Sequence, residues 1–379
     1  MKISQVRTTP LLIPYKKPYH WAKGIIQGAG VVLVEVHTDD GLIGIGECIA
    51  TPSAMAIEAY LKIAGDICIG RSPFENTRLM GECYHALFQG LGTCSAPRYS
   101  GQVLAGLEMA LWDVMGKATD RAVHELLGGA VCDEINYFGF PQGITAKEVA
   151  AEACEMAENG CDVIYFKVGR GDALDLEIAR QVRAAVGPNK RLRMDPNESW
   201  SPVRAARMLR KMAEFDIDMV EQPTNAESIA ALAQVRERSP IAIAADQLVF
   251  TPQDAYDVCR EKAADMITLG LHETGGIARF RKVAHIAEAA GIDICIHGLY
   301  ETGISTTAAN QVGATLPNLD DGNQYMNHLL EWDIVKSPDL RLHNGRLPVL
   351  SGPGLGIELD TDAVDRAAEA HVRQVAEKI

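Results

Sequence analysis

The chain has 379 residues, 47% of them hydrophobic and 23% charged, with a formal net charge of −14. This is an ordinary globular composition, which excludes a disordered or fibrous protein, and the length allows two domains. The acidic balance and the lack of a basic run exclude a nucleic-acid partner, and no apolar run approaches the roughly 18 to 20 residues that a membrane span needs.

Residues 1–6 carry no apolar signal-peptide core, so a cytoplasmic protein is expected. The nine cysteines (Cys48, Cys68, Cys83, Cys94, Cys132, Cys154, Cys161, Cys259 and Cys295) are odd in number and make no CxxC pair. They read as small buried hydrophobes, not as a disulfide framework or zinc site.

Residues 1–125 read as an α+β unit. Residues 14–24 hold Tyr15, Lys16, Lys17, Tyr19, His20 and Trp21 and read as a substrate-selecting loop. Residues 31–36 are an apolar strand, Asp39-Asp40-Gly41 a turn and residues 44–47 a second short strand, together a hairpin. Helical periodicity follows over 102–117, with Leu104, Leu107, Ala110, Leu111 and Val114 on one face. Gly128-Gly129 stops the last helix of this unit.

From about residue 130 short apolar strands alternate with amphipathic helices. The expected strands are 135–140, 163–168, 192–195, 219–221, 241–245, 266–269, 292–296 and 329–331. Ser201-Pro202 and Thr251-Pro252 predict helix starts, and Gly160, Gly187 and Gly291 predict stops. Repeated strand–helix units predict a parallel (β/α)8 barrel. No glycine-rich fingerprint of an open nucleotide-binding sheet follows the first strand. Thr361–Glu377 reads as a helical tail.

In a barrel the strand ends converge on one mouth. Asp195, Glu221 and Asp246 end three successive strands, spaced 26 and 25 residues apart. Three such carboxylates repel unless a cation neutralises them, and an all-oxygen donor set selects a hard dication, Mg²⁺. The alternative for each acid is a cap on the following helix, which requires no such register. Lys167 ends the preceding strand. Beside a bound cation its ammonium is disfavoured, so it can act as a base; the alternative is a lysine paired with one of the acids.

Several further motifs are Gly41-Leu42-Ile43-Gly44-Ile45-Gly46-Glu47, Ala110-Leu111-Trp112-Asp113-Val114-Met115-Gly116-Lys117, Leu126-Leu127-Gly128-Gly129, Gly275-Gly276-Ile277 and Gly352-Pro353-Gly354-Leu355-Gly356. With the acid ladder, they make the chain resemble the enolase superfamily, in the group of mandelate racemase and muconate cycloisomerase (muconate lactonizing enzyme), over essentially its whole length. The resemblance implies a modified (β/α)8 TIM barrel with an N-terminal α+β capping domain. It divides the chain into a cap (1–125), a barrel with the metal site (126–350) and a C-terminal segment returning to the cap (351–379). It implies Mg²⁺ on Asp195, Glu221 and Asp246, Lys167 as base, a small carboxylate substrate and a homo-oligomer.

The sequence also departs from that group. Tyr165 stands where a first lysine is usual, and is expected to hydrogen-bond the substrate or Lys167. Gly270 stands where mandelate-type members carry an aspartate that orients a histidine, and muconate-type members a second lysine. His297 remains the candidate on the opposite face. His272 and Glu273, two and three residues past Gly270, are weaker candidates for the same job; the alternative for each is a solvated loop position. Asn197, Glu301, Glu331, Tyr19 and Trp21 are the candidates for substrate contact. The expected reaction is abstraction of the α-proton through an enediolate, then β-elimination (dehydration) or cycloisomerisation. The alternative is a racemase or epimerase using Lys167 and His297, and the remote one a non-catalytic metal-binding protein.

Overall fold

A computed structural model describes residues 1–89 and 97–377, so Cys94 lies outside the described residues. The first unit opens with β1 (Ile3–Trp21), β2 (Gly24–Thr38) and β3 (Ile43–Ile49), an antiparallel sheet in that order. Residues 14–24 are therefore not a loop. They are the far arm of the β1–β2 hairpin, paired from Tyr19↔Ile26 to Trp21↔Gly24. A register shift between Pro14 and Tyr19 interrupts the ladder there. Pro14 and Pro18 offer no N–H to it, and this hid the strand from its pattern.

Helices α1 (Ala54–Cys68) and α3 (Pro97–Thr119) cover the sheet, and α2 (Asn76–Tyr84) packs against both. The apolar face of α3, Leu104, Leu107, Ala110, Leu111 and Val114, packs with Val32, Val34, Val36 and Leu61 in one core. It lies directly on β3, because a Cβ at Gly46 would stand 2.1 Å from the Gly106 carbonyl oxygen. The short α4 (Val123–Leu126) follows.

The barrel elements come next in the chain: β4 (Glu134–Asn136), α5 (Ala146–Glu158), β5 (Val163–Lys167), α6 (Asp172–Val186), β6 (Arg191–Asp195), α7 (Pro202–Met212), β7 (Ile217–Glu221) and α8 (Ile229–Arg238). Then come β8 (Ala242–Ala245), α9 (Pro252–Arg260), β9 (Met266–Gly270), the single turn α10 (Leu271–Thr274), α11 (Ile277–Ala289), β10 (Asp293–His297) and α12 (Gly303–Gly313). The tail adds β11 (Val335–Ser337), β12 (Arg346–Pro348), β13 (Glu358–Leu359) and α13 (Thr361–Glu377). Local chemistry starts the helices where expected: Ser201 accepts from Arg204 N–H, and Thr251 from Asp254 N–H, each followed by proline.

Strands β5 to β10 form one six-stranded parallel sheet in sequential order, the wall of a modified (β/α) barrel. The two remaining positions differ from expectation. β4 pairs antiparallel with β12, outside the barrel wall. Only the stretch after it joins the ring, by the parallel bridge Gly139↔Ile164. Residues 329–331 form no strand; Asn327–Leu329 is a 3-10 turn. Residues 318–324 close the ring instead, through Ile294 N–H to the Asn318 carbonyl, Gln324 N–H to Ile296 and Phe138 N–H to Asn323. The Asn323 side chain also accepts from Ile296 N–H at 2.8 Å. A polar segment that pairs partly through a side chain carries no apolar strand pattern.

Helix α13 packs on β1. Asp113 of α3 accepts from both Ile45 and Leu355 N–H at 2.8 Å, with Lys117 donating at 2.7 Å, so one carboxylate ties sheet, helix and C-terminal segment together. Cys48, Cys68, Cys83, Cys161 and Cys295 are buried thiols, whereas Cys132, Cys154 and Cys259 are half-buried, short of the full burial expected. Among the described residues no helix is long and apolar enough to cross a membrane.

Candidate active site

Side chains two apart on a strand face the same way. Tyr165 and Lys167 on β5, Arg193 and Asp195 on β6, Met219 and Glu221 on β7, and Cys295 and His297 on β10 are such pairs, all buried. The second member of each ends its strand. Met219, Ala244, Met266 and Cys295 form a separate small apolar cluster.

Asp195 is the most fully engaged acid. Its Oδ2 accepts from Lys167 Nζ at 2.5 Å, Asn197 Nδ2 at 2.6 Å and Tyr165 Oη at 2.8 Å, and its Oδ1 from Asn197 N–H at 2.6 Å. Tyr165 Oη also lies 3.0 Å from Glu221 Oε1, so one phenol bridges two carboxylates. Lys167 donates to the same phenol at 3.1 Å. Asn197 sits in the left-handed region (φ 43°), and its own Oδ1 is buried without a partner. Glu221 Oε2 accepts from Thr268 Oγ1 at 3.1 Å. Asp246 differs: it is fully buried, and neither carboxylate oxygen has a hydrogen-bond partner. Ligand atoms of Glu221, Asp246 and His297 lie within 4.8 Å of one another, while Asp195 joins through Tyr165.

Burial, and then repulsion from Asp195 and Asp246, holds the Glu221 carboxyl well above the usual range. Burial opposes the Lys167 charge, but Asp195, Tyr19 and Glu221 outweigh it and keep the ammonium. The lysine is thus paired with an acid, the alternative its sequence position left open. Tyr165 stays a phenol, its ionisation raised far up by burial and the two acids, so it donates and does not act as a base.

His297 is held above its ordinary value; burial works against the charge, and the Asp246 and Glu273 carboxylates more than offset it. Glu273, a weaker candidate from the sequence with a solvated loop position as its alternative, is buried, with Oε2 3.0 Å from His297 Nδ1. A Cβ at position 270 would lie 2.4 Å from that same oxygen. His272 is buried too, its Nε2 2.8 Å from Ser305 Oγ, and burial pushes it down to about 3, so it is neutral.

Two acids of the first unit, missed in the sequence as functional, reach the barrel helices. Glu47 on β3 accepts from Thr302 N–H at 3.0 Å, Thr302 Oγ1 at 2.7 Å and Ser305 N–H at 3.0 Å, at the start of α12. Glu108 on α3 accepts from Ile277 N–H at 2.7 Å and Ala278 N–H at 3.1 Å, at the start of α11. Burial raises both, Glu108 to about 7. Only the fold reveals them, since each partner lies more than a hundred residues away in the chain.

The remaining candidates divide. Tyr19 is buried, edge-on to Phe140 at 5.6 Å; burial pushes its phenol up to about 12, against the pull of the Lys167 charge. Glu301 is buried and accepts from Leu299 N–H at 3.2 Å; burial, then Glu47, raises it to about 8. Trp21 is half-buried at the hairpin end, and Glu331 is exposed, its backbone N–H bonding the Pro14 carbonyl. Among the described residues no hydrogen bond or ion pair draws those two side chains to the acids. A cavity of about 580 Å³, lined by Phe140, His328 and Arg341, lies elsewhere and includes none of the acids.

Residues 148–363 match the enolase C-terminal domain-like family, and residues 3–128 the mandelate racemase / muconate lactonizing enzyme N-terminal domain. The chain is 31% identical over 378 residues to muconate cycloisomerase 1-1 of Acinetobacter lwoffii, covering 96% of each. Its fold is similar to that of muconate lactonizing enzyme from Pseudomonas fluorescens, solved with muconolactone, at TM-score 0.90, 27% identity and coverage of 97% and 99%. It is similar also to dipeptide epimerase from Enterococcus faecalis V583, solved with Mg and L-Leu-L-Tyr, at TM-score 0.87, 28% identity and coverage of 94% and 100%.

Proposed function

The chain belongs to the mandelate racemase / muconate lactonizing enzyme family and is an enzyme of the enolase superfamily, an isomerase or lyase; from that premise we propose that it abstracts the α-proton of a small carboxylate, with Lys167 as base and His297 as acid. The observation that carries this is the arrangement of the mouth. Lys167 and His297 end the two outermost strands of the six-stranded sheet, and Glu221 and Asp246 are buried between them.

We assign Mg²⁺ to Asp195, Glu221 and Asp246. The two buried oxygens of Asp246, which accept no hydrogen bond and have only the His297 ring nearby at 3.2 Å, suit a cation, and an oxygen set suits a hard one. His297 Nδ1 faces Glu273, which takes that nitrogen out of the ligand set. A dication held there offsets the charge that keeps Lys167 protonated and stabilises the charge that builds on the substrate carboxylate.

Lys167 as free amine takes the α-proton, and the electron pair of that C–H bond moves toward the carboxylate. The bond to the β-leaving group then breaks, and His297 gives that group a proton. This yields β-elimination or, where the leaving group is tethered, cycloisomerisation. Tyr165 fixes the positions of Asp195 and Glu221 relative to Lys167. Glu301, largely protonated at neutral pH, donates to a substrate oxygen, and Tyr19 and Asn197 line the approach. A second reading, racemisation or epimerisation, gains support from the carboxylate behind His297, which gives a second proton carrier the orientation it needs. The reading also includes a homo-oligomer, tested by light scattering against the monomer mass.

Incubation of the enzyme with Mg²⁺ and a carboxylate library in D₂O tests the reaction. Loss of water or ring opening supports elimination or cycloisomerisation, and α-exchange with inversion supports the epimerase. Absence of exchange with every acid refutes both.

A further inference from the structure

A glycine at 270 looks like the loss of a functional side chain. The geometry says otherwise. The space a Cβ would take at 270 is filled by the Glu273 carboxylate, 2.4 Å from the Cβ position. That carboxylate is 3.0 Å from His297 Nδ1, and β9 and β10 pair so that His297 stands beside Gly270. An acid three residues beyond the strand end thus folds back over one turn of helix into the place of a strand-borne acid.

The turn that carries it is held firmly. Thr274 Oγ1 donates to the Gly270 carbonyl at 2.9 Å, and Gly275, in the left-handed region at φ 93°, ends the turn. Helix α3 presses on it from the cap: a Cβ at Gly101 would lie 2.4 Å from the Glu273 carbonyl oxygen. Asp246 also approaches His297 Nδ1, at 3.2 Å, but its oxygens have no hydrogen-bond partner, so the hydrogen bond runs to Glu273.

We propose that Glu273 is the positioning residue of His297, fixing which ring nitrogen faces the mouth, and that position 270 is glycine in order to admit it. The proposal rests on the reading that His297 moves a proton. It follows the general rule that a catalytic imidazole is oriented by a carboxylate on its other nitrogen.

The experiment compares wild type, Glu273→Ala, Gly270→Asp and the double variant Gly270→Asp/Glu273→Ala, all saturated with Mg²⁺. The first readout is NMR of the His297 ring, which needs no substrate. A downfield Nδ1 proton is expected in wild type and in the double variant, and not in Glu273→Ala. The second is α-proton exchange. Glu273→Ala should lose about 10- to 100-fold in kcat with little change in KM. Gly270→Asp alone should fall as well, because its Cβ meets Glu273. The double variant should exceed both singles, an order that mere loss of folding does not produce. Retention of the Nδ1 proton in Glu273→Ala, or a folded double variant no better than the singles, overturns the proposal. If wild type exchanges no α-proton, the reaction reading falls, while the NMR comparison still decides the Glu273–His297 link.

Discussion

Two clusters of charge lie in one barrel, a buried one at Asp195–Glu221–Asp246 and one of half-buried partners around the buried Arg193, and they are built on opposite terms. Arg193, fully buried, donates to Asp218 at 3.2 Å, to the Gly322 carbonyl at 2.9 Å and to Asp320. Arg191 donates to Asp218 at 2.9 Å and to Asp320 at 3.1 Å. Despite burial, the two guanidiniums hold Asp320 below its ordinary value. Charge is closed there, as in a structural cluster. In the other cluster Asp195 takes the one lysine, Glu221 is pushed up by its neighbours, and Asp246 has no hydrogen bond to its oxygens. Burial alone does not mark a site. A deficit of one sign of charge does, because a ligand must supply it.

The largest expected effect breaks the open cluster. Lys167→Ala should lower α-proton exchange by about 10² to 10⁴, and Lys167→Arg nearly as much, since guanidinium does not release its proton. Full activity in Lys167→Ala would move the base to another residue. The matching cut in the closed cluster is Arg193→Leu, which removes three donors and leaves Arg191 as the one guanidinium on Asp218 and Asp320. We expect a loss of about 3 kcal/mol in urea denaturation; an unchanged midpoint would mean that the acids find water instead.

Magnesium sharpens the contrast. At about a hundred times its Kd it should add about 2.7 kcal/mol to wild type and to Arg193→Leu, and nothing to Asp246→Asn. A full shift in Asp246→Asn would reject the ligand assignment. The smallest effect is a slope. Glu301 has its folded pKa raised to about 8, against an ordinary 4.5. Its protonated form is favoured by folding, so its contribution is complete below pH 4.5 and is lost as pH rises toward 8. Glu301→Gln should flatten the stability profile in that window, and an unaltered profile would count against a buried neutral carboxyl.

Much of this was legible beforehand because periodicity and spacing are local. The helix caps at Ser201 and Thr251, the apolar face of α3 and the strand-end register of Asp195, Glu221 and Asp246 all follow from short-range pattern. What escaped was non-local. The segment 318–324 closes the barrel without an apolar residue pattern, and β1 runs through three prolines. Glu273 stands out only weakly in the sequence, because nothing in Leu271-His272-Glu273-Thr274 says that the turn folds back over Gly270. Glu47 and Glu108 carry no signal of their role in the sequence, since their partners arrive far later in the chain.

That delay has a consequence in time. Domains made first generally fold first during synthesis, so the N-terminal unit would hold two carboxylates ready before the helices they cap exist. Helix α11 emerges onto Glu108 and α12 onto Glu47, while Asp113 waits for Leu355 near the end. Without those acids the first N–H groups of both helices would be buried unsatisfied, at about 1 to 3 kcal/mol each. The part of the chain made first would thus serve as a template on which the turns bearing Glu273 and Glu301 are set, and the barrel mouth would be completed last.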